Sequence, residues 1–164
     1  MRCPKRFSAN RLSTVRRVCL RWRFTCCCEA CSSTSTSESN ASRLRLAELD
    51  ASLRRNMELC QEDVLAAAVV GQLETETLAQ VAEMTELLSR EFGPHPALRC
   101  QLYYDAFQLM LMLKKPKNTL MFISMAVKAS YHAVGETSEQ SGRFKGYLDN
   151  PCSHSAFLTG RQRS

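Results

Sequence analysis

The sequence predicts a mainly α protein, an antiparallel helical array preceded by an irregular, basic, cysteine-rich segment. Three observations carry that expectation. Helix breakers are scarce, with 6 Gly and 5 Pro in 164 residues, and the apolar residues lean to Leu, Ala and Met, which favour helix. From residue 42 onward apolar positions recur at helical spacing between short Gly or Pro breaks. Ahead of that pattern, charge and thiols are concentrated without any apolar period. A chain of this length holds one domain of ordinary size.

The first segment, 1–20, is basic and irregular. Eight Lys and Arg residues fall between Met1 and Cys28, and the first acid is Glu29. Such a start suits a mitochondrial presequence, a nucleic-acid-binding arm, or an exposed positive segment beside a folded site, and the last is favoured. A short helix near Ala9–Arg21 would have little apolar face. Nine cysteines make an odd count for a closed disulfide framework, and no apolar signal segment opens the chain. A reducing compartment follows, nucleus or cytoplasm, with the mitochondrion as the alternative.

"SSTSTSESNAS", 32–42, is polar and without period, which reads as a flexible loop. Leu46, Leu49, Leu53 and Met57 then mark a first helix, and Cys60, Val64, Ala67 and Ala68 either continue or restart its face. A second series runs through Leu73, Leu78, Val81, Met84, Leu87 and Leu88 and closes at "FGPHP", where Gly93 and Pro94 stop it. The third helix is expected over Ala97–Leu113, ending at "KKPKN". The fourth covers Thr119–Val134, with Gly135 as a left-handed cap. "TSEQ" offers a capping box between Thr137 and Gln140, and the last helix ends before Asn150 and Pro151. Paired helices of this length suit a tetratricopeptide-like array or an ordinary bundle, although no clean 34-residue repeat is visible.

No run approaches the roughly 18 uncharged apolar residues of a membrane helix, so no membrane partner is expected. The partner class expected of paired helices is a protein or peptide held in their concave face, with nucleic acid a weaker candidate through the basic start. "LMLML" and "LMFISM" are expected in the core rather than in an adaptable groove. His95, a loop residue between two prolines, is expected to face solvent; His132 and Tyr131 are expected at a helix end. Cys152 and His154 are the weakest metal candidates.

The chemistry-bearing stretch is "WRFTCCCEACSS", 22–33. Cys26, Cys28 and Cys31 form CxCxxC, a spacing that lets a turning loop present three sulfurs to one tetrahedral zinc at about 2.3 Å. Three ligands leave the site incomplete. Cys27, adjacent to two of them, is expected to point away, and Cys3, Cys19 and Cys60 are the candidates for a fourth. Incidental clustering and palmitoylation are the alternatives.

This stretch, with a polar spacer and then "SRLRLAELD", resembles the post-SET segment of SET-domain protein lysine methyltransferases, especially the SET and MYND-like group of fungal type. "YDAFQL" and "GETSEQSGRFKGYLDNPCSH" are similar to the helical region that follows in that group, so the resemblance covers about residues 20–157. It implies that Cys26, Cys28 and Cys31 hold zinc together with a fourth cysteine from an Asn-His-x-Cys motif in the SET core. It implies further that Phe24 packs near S-adenosylmethionine and the lysine channel. The sequence has no Asn-His pair and no GxG cofactor turn, and its tyrosines from Tyr103 onward all fall in the helical region. The expectation is therefore a C-terminal portion of such an enzyme, without its catalytic core and inactive alone, with S-adenosylmethionine belonging to a full-length relative. The parts are 1–20, a basic segment; 21–33, the cysteine motif; 34–41, a polar linker; 42–157, a helical domain; and 158–164, a tail.

Overall fold

A computed structural model describes residues 37–61 and 66–159. Six α-helices follow in order among them: α1 Ser37–Leu59, α2 Ala67–Phe92, α3 Pro96–Met112, α4 Pro116–Val134, α5 Glu139–Asp149 and, after a 3-10 turn at Pro151–Ser153, α6 Ser155–Thr159. The mainly helical expectation holds, and the described residues include no strand. The expected helix near Ala9–Arg21 and the whole of 1–33 lie outside the described residues.

Helix α1 starts at Ser37, inside the stretch read as a loop. Its buried apolar face begins only at Leu46 and continues through Leu49 and Leu53, so the first turns carry no apolar period to announce them. The backbone N–H of Cys60 still reaches the Asn56 carbonyl at 3.1 Å. Cys60 is half-buried, whereas Ala67 and Ala68 are exposed on the first turn of α2. They restart a helix rather than continue one.

Helix α2 buries Leu73, Val81, Met84, Leu87 and Leu88, with Leu78 half-buried beside them. Thr77 and Gln80 share this face. The Thr77 hydroxyl donates to the Leu73 carbonyl at 2.7 Å, and the Gln80 amide donates to Ser52 Oγ on α1 at 2.9 Å, so each reaches a partner without water. Across the α1–α2 interface Arg43 meets Glu91, Arg45 meets Glu83 and Ser52 meets Gln80. Numbers rise on one helix as they fall on the other, so the two run antiparallel. Gly93 ends α2 at φ 67°, a backbone region that glycine enters without penalty.

Helix α3 is buried nearly all round, through Leu98, Cys100, Leu102, Tyr103, Ala106, Phe107, Leu109, Met110 and Leu111, as befits the central element of a helical domain. It touches α1, α2, α4 and α6. "LMLML" is core as expected, apart from half-buried Met112. The helix closes with Lys114 at φ 56°, its N–H on the Leu111 carbonyl and that of Lys115 on the Met110 carbonyl. This is a Schellman pattern with lysine where glycine is usual. Pro116, pre-set for a first turn, starts α4 earlier than expected. In "LMFISM" Phe122 and Ile123 are buried but Leu120 and Met121 are exposed.

Gly135 has the positive φ expected of it, at 90°, but its ψ of 155° is extended rather than left-handed helical. The capping box at Thr137 and Gln140 is not formed. Ser138 caps α5 instead, accepting the Ser141 N–H at 3.1 Å. The register is set by Ser141, whose buried hydroxyl lies 2.8 Å from the Gly135 carbonyl and 3.0 Å from Ser130 Oγ on α4. Ser138→Ala is expected to cost about 1 kcal/mol, while exposed Thr137→Ala stays within about 0.5 kcal/mol. Urea unfolding of the two variants checks the order, and equal losses would contradict the assigned cap.

Candidate functional site

The residues singled out for zinc and cofactor, Cys26, Cys28, Cys31 and Phe24, lie outside the described residues. Among the described ones no group of three or more His, Cys, Asp or Glu is placed to hold a metal. Cys60 and Cys100 are protonated thiols at neutral pH, each pushed up to about 11 by burial. Cys100 donates from Sγ to the Ala126 carbonyl at 3.6 Å, which ties α3 to α4. Cys152 is exposed.

The densest set of chemically capable side chains joins α3, α5 and the C-terminal turn. Tyr104 and Phe107 stand one turn apart on α3, and Phe144 and Tyr147 one turn apart on α5, so each pair shares a helix face. Tyr104 stacks on Phe144 with centroids 4.7 Å apart and on Phe107 at 5.9 Å; Phe107 and Tyr147 lie 6.1 Å apart. His154, delivered by the turn at Pro151–Ser153, sets its ring edgewise to three of them, at 4.7 Å from Tyr147, 5.4 Å from Phe107 and 5.8 Å from Tyr104. These are the offset and edge-on arrangements that aromatic quadrupoles favour.

Both imidazole nitrogens are engaged. The Ala156 backbone N–H donates to Nδ1 at 3.1 Å, so Nδ1 carries no proton. A neutral imidazole must then hold its proton on Nε2, which lies 2.8 Å from the Tyr104 hydroxyl and donates to it. Gln108 bonds the same hydroxyl. Burial, with Arg143 adding like charge, holds His154 below its ordinary range; burial raises Tyr104 above its own. With neither nitrogen free for a base or ligand role, the cluster binds the C-terminal segment to the domain. The weak idea of a Cys152–His154 metal site meets the same obstacle.

His95 is half-buried at the N-cap of α3 rather than solvent-facing. His132 is exposed in the last turn of α4, at the helix end expected of it. The Tyr104–His154 pairing was missed although both residues stand in quoted motifs. The i, i+3 aromatic spacing repeated on two neighbouring helices marks the rings that share a face but does not reach His154, fifty positions from Tyr104. No described helix is long and apolar enough to cross a membrane. Comparison with protein-family models, curated proteins and solved structures gave no match.

Proposed function

We propose that the chain is a SET-methyltransferase-like protein that pairs a post-SET zinc-binding segment with a helical interaction domain and is non-catalytic by itself. The observation that carries this reading is the CxCxxC of Cys26, Cys28 and Cys31, two residues after Phe24 and followed by a polar spacer and the "SRLRLAELD" helix. Three thiolates suit zinc by charge and softness. They would hold the ion and fix the fold of 21–33 around it, with one position left to water or to a cysteine elsewhere. Zinc supplies charge and cross-linking at such a site. Phe24 contributes an apolar wall that becomes useful only beside a cofactor-bearing core, so S-adenosylmethionine belongs to a relative that carries one.

For the helical domain the reading is a protein or peptide partner on a tetratricopeptide-like array. Its support is that each of α1 to α4 touches the next helix in sequence, and that α4 leaves Leu120 and Met121 exposed between the exposed Lys117 and Lys128. Exposed apolar residues flanked by charge suit a binding face.

Zinc titration of the full chain against a chromophoric competitor tests the primary reading, with four variants: Cys26→Ser, Cys27→Ser, Cys28→Ser and Cys31→Ser. The parent should bind weakly, release protons on binding and lose affinity as pH falls, because each thiol must ionise to coordinate. Cys26→Ser, Cys28→Ser and Cys31→Ser should each weaken binding by about tenfold or more, the loss seen even for outer-shell changes. Cys27→Ser should leave it unchanged. Equal affinities for all four, or no uptake by the parent, would remove the zinc reading.

A further inference from the structure

We infer that residues 150–157 form an acid-opened latch, held on α3 and α5 by neutral His154 and released when that imidazole gains a proton. The inference is independent of the zinc reading, since it rests only on described residues.

The geometry makes the latch one-way in charge. In the closed state Nδ1 accepts the Ala156 N–H at 3.1 Å, and Nε2 faces the Tyr104 hydroxyl at 2.8 Å. A second proton can enter only at Nδ1, where it would point at another N–H. The closed state therefore presents a donor, the Ala156 N–H, where the imidazolium needs an acceptor, and that bond must break. Nothing around the ring offsets this. From α3 it faces Tyr104, whose hydroxyl is bonded by Gln108 and sits near Asp105, and the apolar ring of Phe107. From α5 it faces Tyr147 and the like-charged Arg143. His154 is 5% exposed, so water does not solvate the charge in place. Protonation is relieved by lifting the ring out.

The segment is built to lift as a unit. Three of its backbone bonds are local: Ser153 N–H to Asn150, His154 N–H to Pro151, Phe157 N–H to His154. His154 bonds Tyr104 on α3, Ala156 and Phe157 pack on the core beside it, and α6 spans only Ser155–Thr159, too short to persist alone. Opening uncovers the Tyr104, Phe107 and Tyr147 rings at the junction of α3 and α5, an aromatic surface that is covered when the pH is neutral. Linkage fixes the direction. A histidine held below its unfolded value stabilises the closed state above about pH 6.5, and that stabilisation is lost progressively as pH falls below it.

Hydrogen exchange on the full chain, corrected for intrinsic rates, tests this at about pH 7.5 and about pH 5. The amides of Ser153, His154 and Phe157 should lose protection by about tenfold per pH unit below the ordinary imidazole value, while amides of α3 and α4 keep theirs. His154→Asn retains a side-chain acceptor for the N–H two residues on but does not titrate, so its segment should show the same protection at both pH values. Tyr104→Phe should be less protected at both while keeping the pH dependence. Ring 15N shifts of His154 in the parent give a second reading and should show the Nε2-protonated tautomer at the higher pH. An Nδ1 tautomer, protection independent of pH in the parent, a pH dependence surviving in His154→Asn, or loss of α3 protection together with the segment would each overturn the latch.

Discussion

Phe107→Ala is expected to destabilise the protein by about 3–5 kcal/mol, the range for emptying a fully buried aromatic site. Phe107 is 0% exposed at the middle of α3, the helix that the others surround, and its ring contacts Tyr104, Tyr147 and His154 together. Truncation removes apolar burial and leaves a cavity bounded by elements that cannot close on it independently, because Tyr104 is held by Phe144 and His154 by its own turn. Phe107→Leu keeps much of the volume and should cost less. Urea unfolding of both variants decides: the midpoint should fall with little change in slope, which reports lost stability in an unaltered fold. A loss under about 1 kcal/mol for the alanine variant would mean that the aromatic cluster collapses freely and is no keystone.

What could be read from the sequence, and what could not, follows from the range of the interactions concerned. The helices were legible because an apolar face is a local, periodic signal: Leu46, Leu49 and Leu53 on α1 and Leu73, Val81, Met84, Leu87 and Leu88 on α2 are buried where the spacing put them. Gly93 and Gly135 were legible as ends because positive φ is a property of one residue. The start of α1 was not, since its first turns have no apolar position. The cap of α5 was displaced by one residue because the choice between Thr137 and Ser138 is made by Ser141, and Ser141 is fixed by Ser130 on another helix.

Thr77 enters the core by donating to the Leu73 carbonyl one turn back and Gln80 by donating to Ser52 on α1, and an apolar pattern marks neither polar residue as buried. For the site the same division applies. CxCxxC is local and readable, so Cys26, Cys28 and Cys31 could be named, whereas a fourth ligand depends on a distant contact. The pairing of Tyr104 with His154 joins residues fifty positions apart. It is a product of topology, and periodicity is silent about it.

Glu91→Ala should cost about 3–5 kcal/mol, because it strands a positive charge between α1 and α2. Arg43 Nε lies 3.4 Å from Glu91 Oε2, and the two side chains are only 8% and 7% exposed. At that exposure water screens the pair poorly, so removal of one partner leaves a charge whose desolvation has no compensation. The pair itself is not an ideal one: Arg43 Nε and Nη2 find no hydrogen-bond acceptor in the interface. Burial of a guanidinium with donors unmet is costly even when a carboxylate stands nearby. The double variant Arg43→Met, Glu91→Leu should therefore regain most of the single variant's loss and reach or exceed the parent, as apolar replacements of buried ion pairs commonly do. The exposed pair Arg45–Glu83, on the same two helices, is the internal control, and breaking it should shift the unfolding midpoint far less. A double-mutant cycle read by urea unfolding separates the terms. Should Glu91→Ala lose no more than the surface control, water must reach the pair, and α1 is then held to α2 by Leu46, Leu49 and Leu53 rather than by charge.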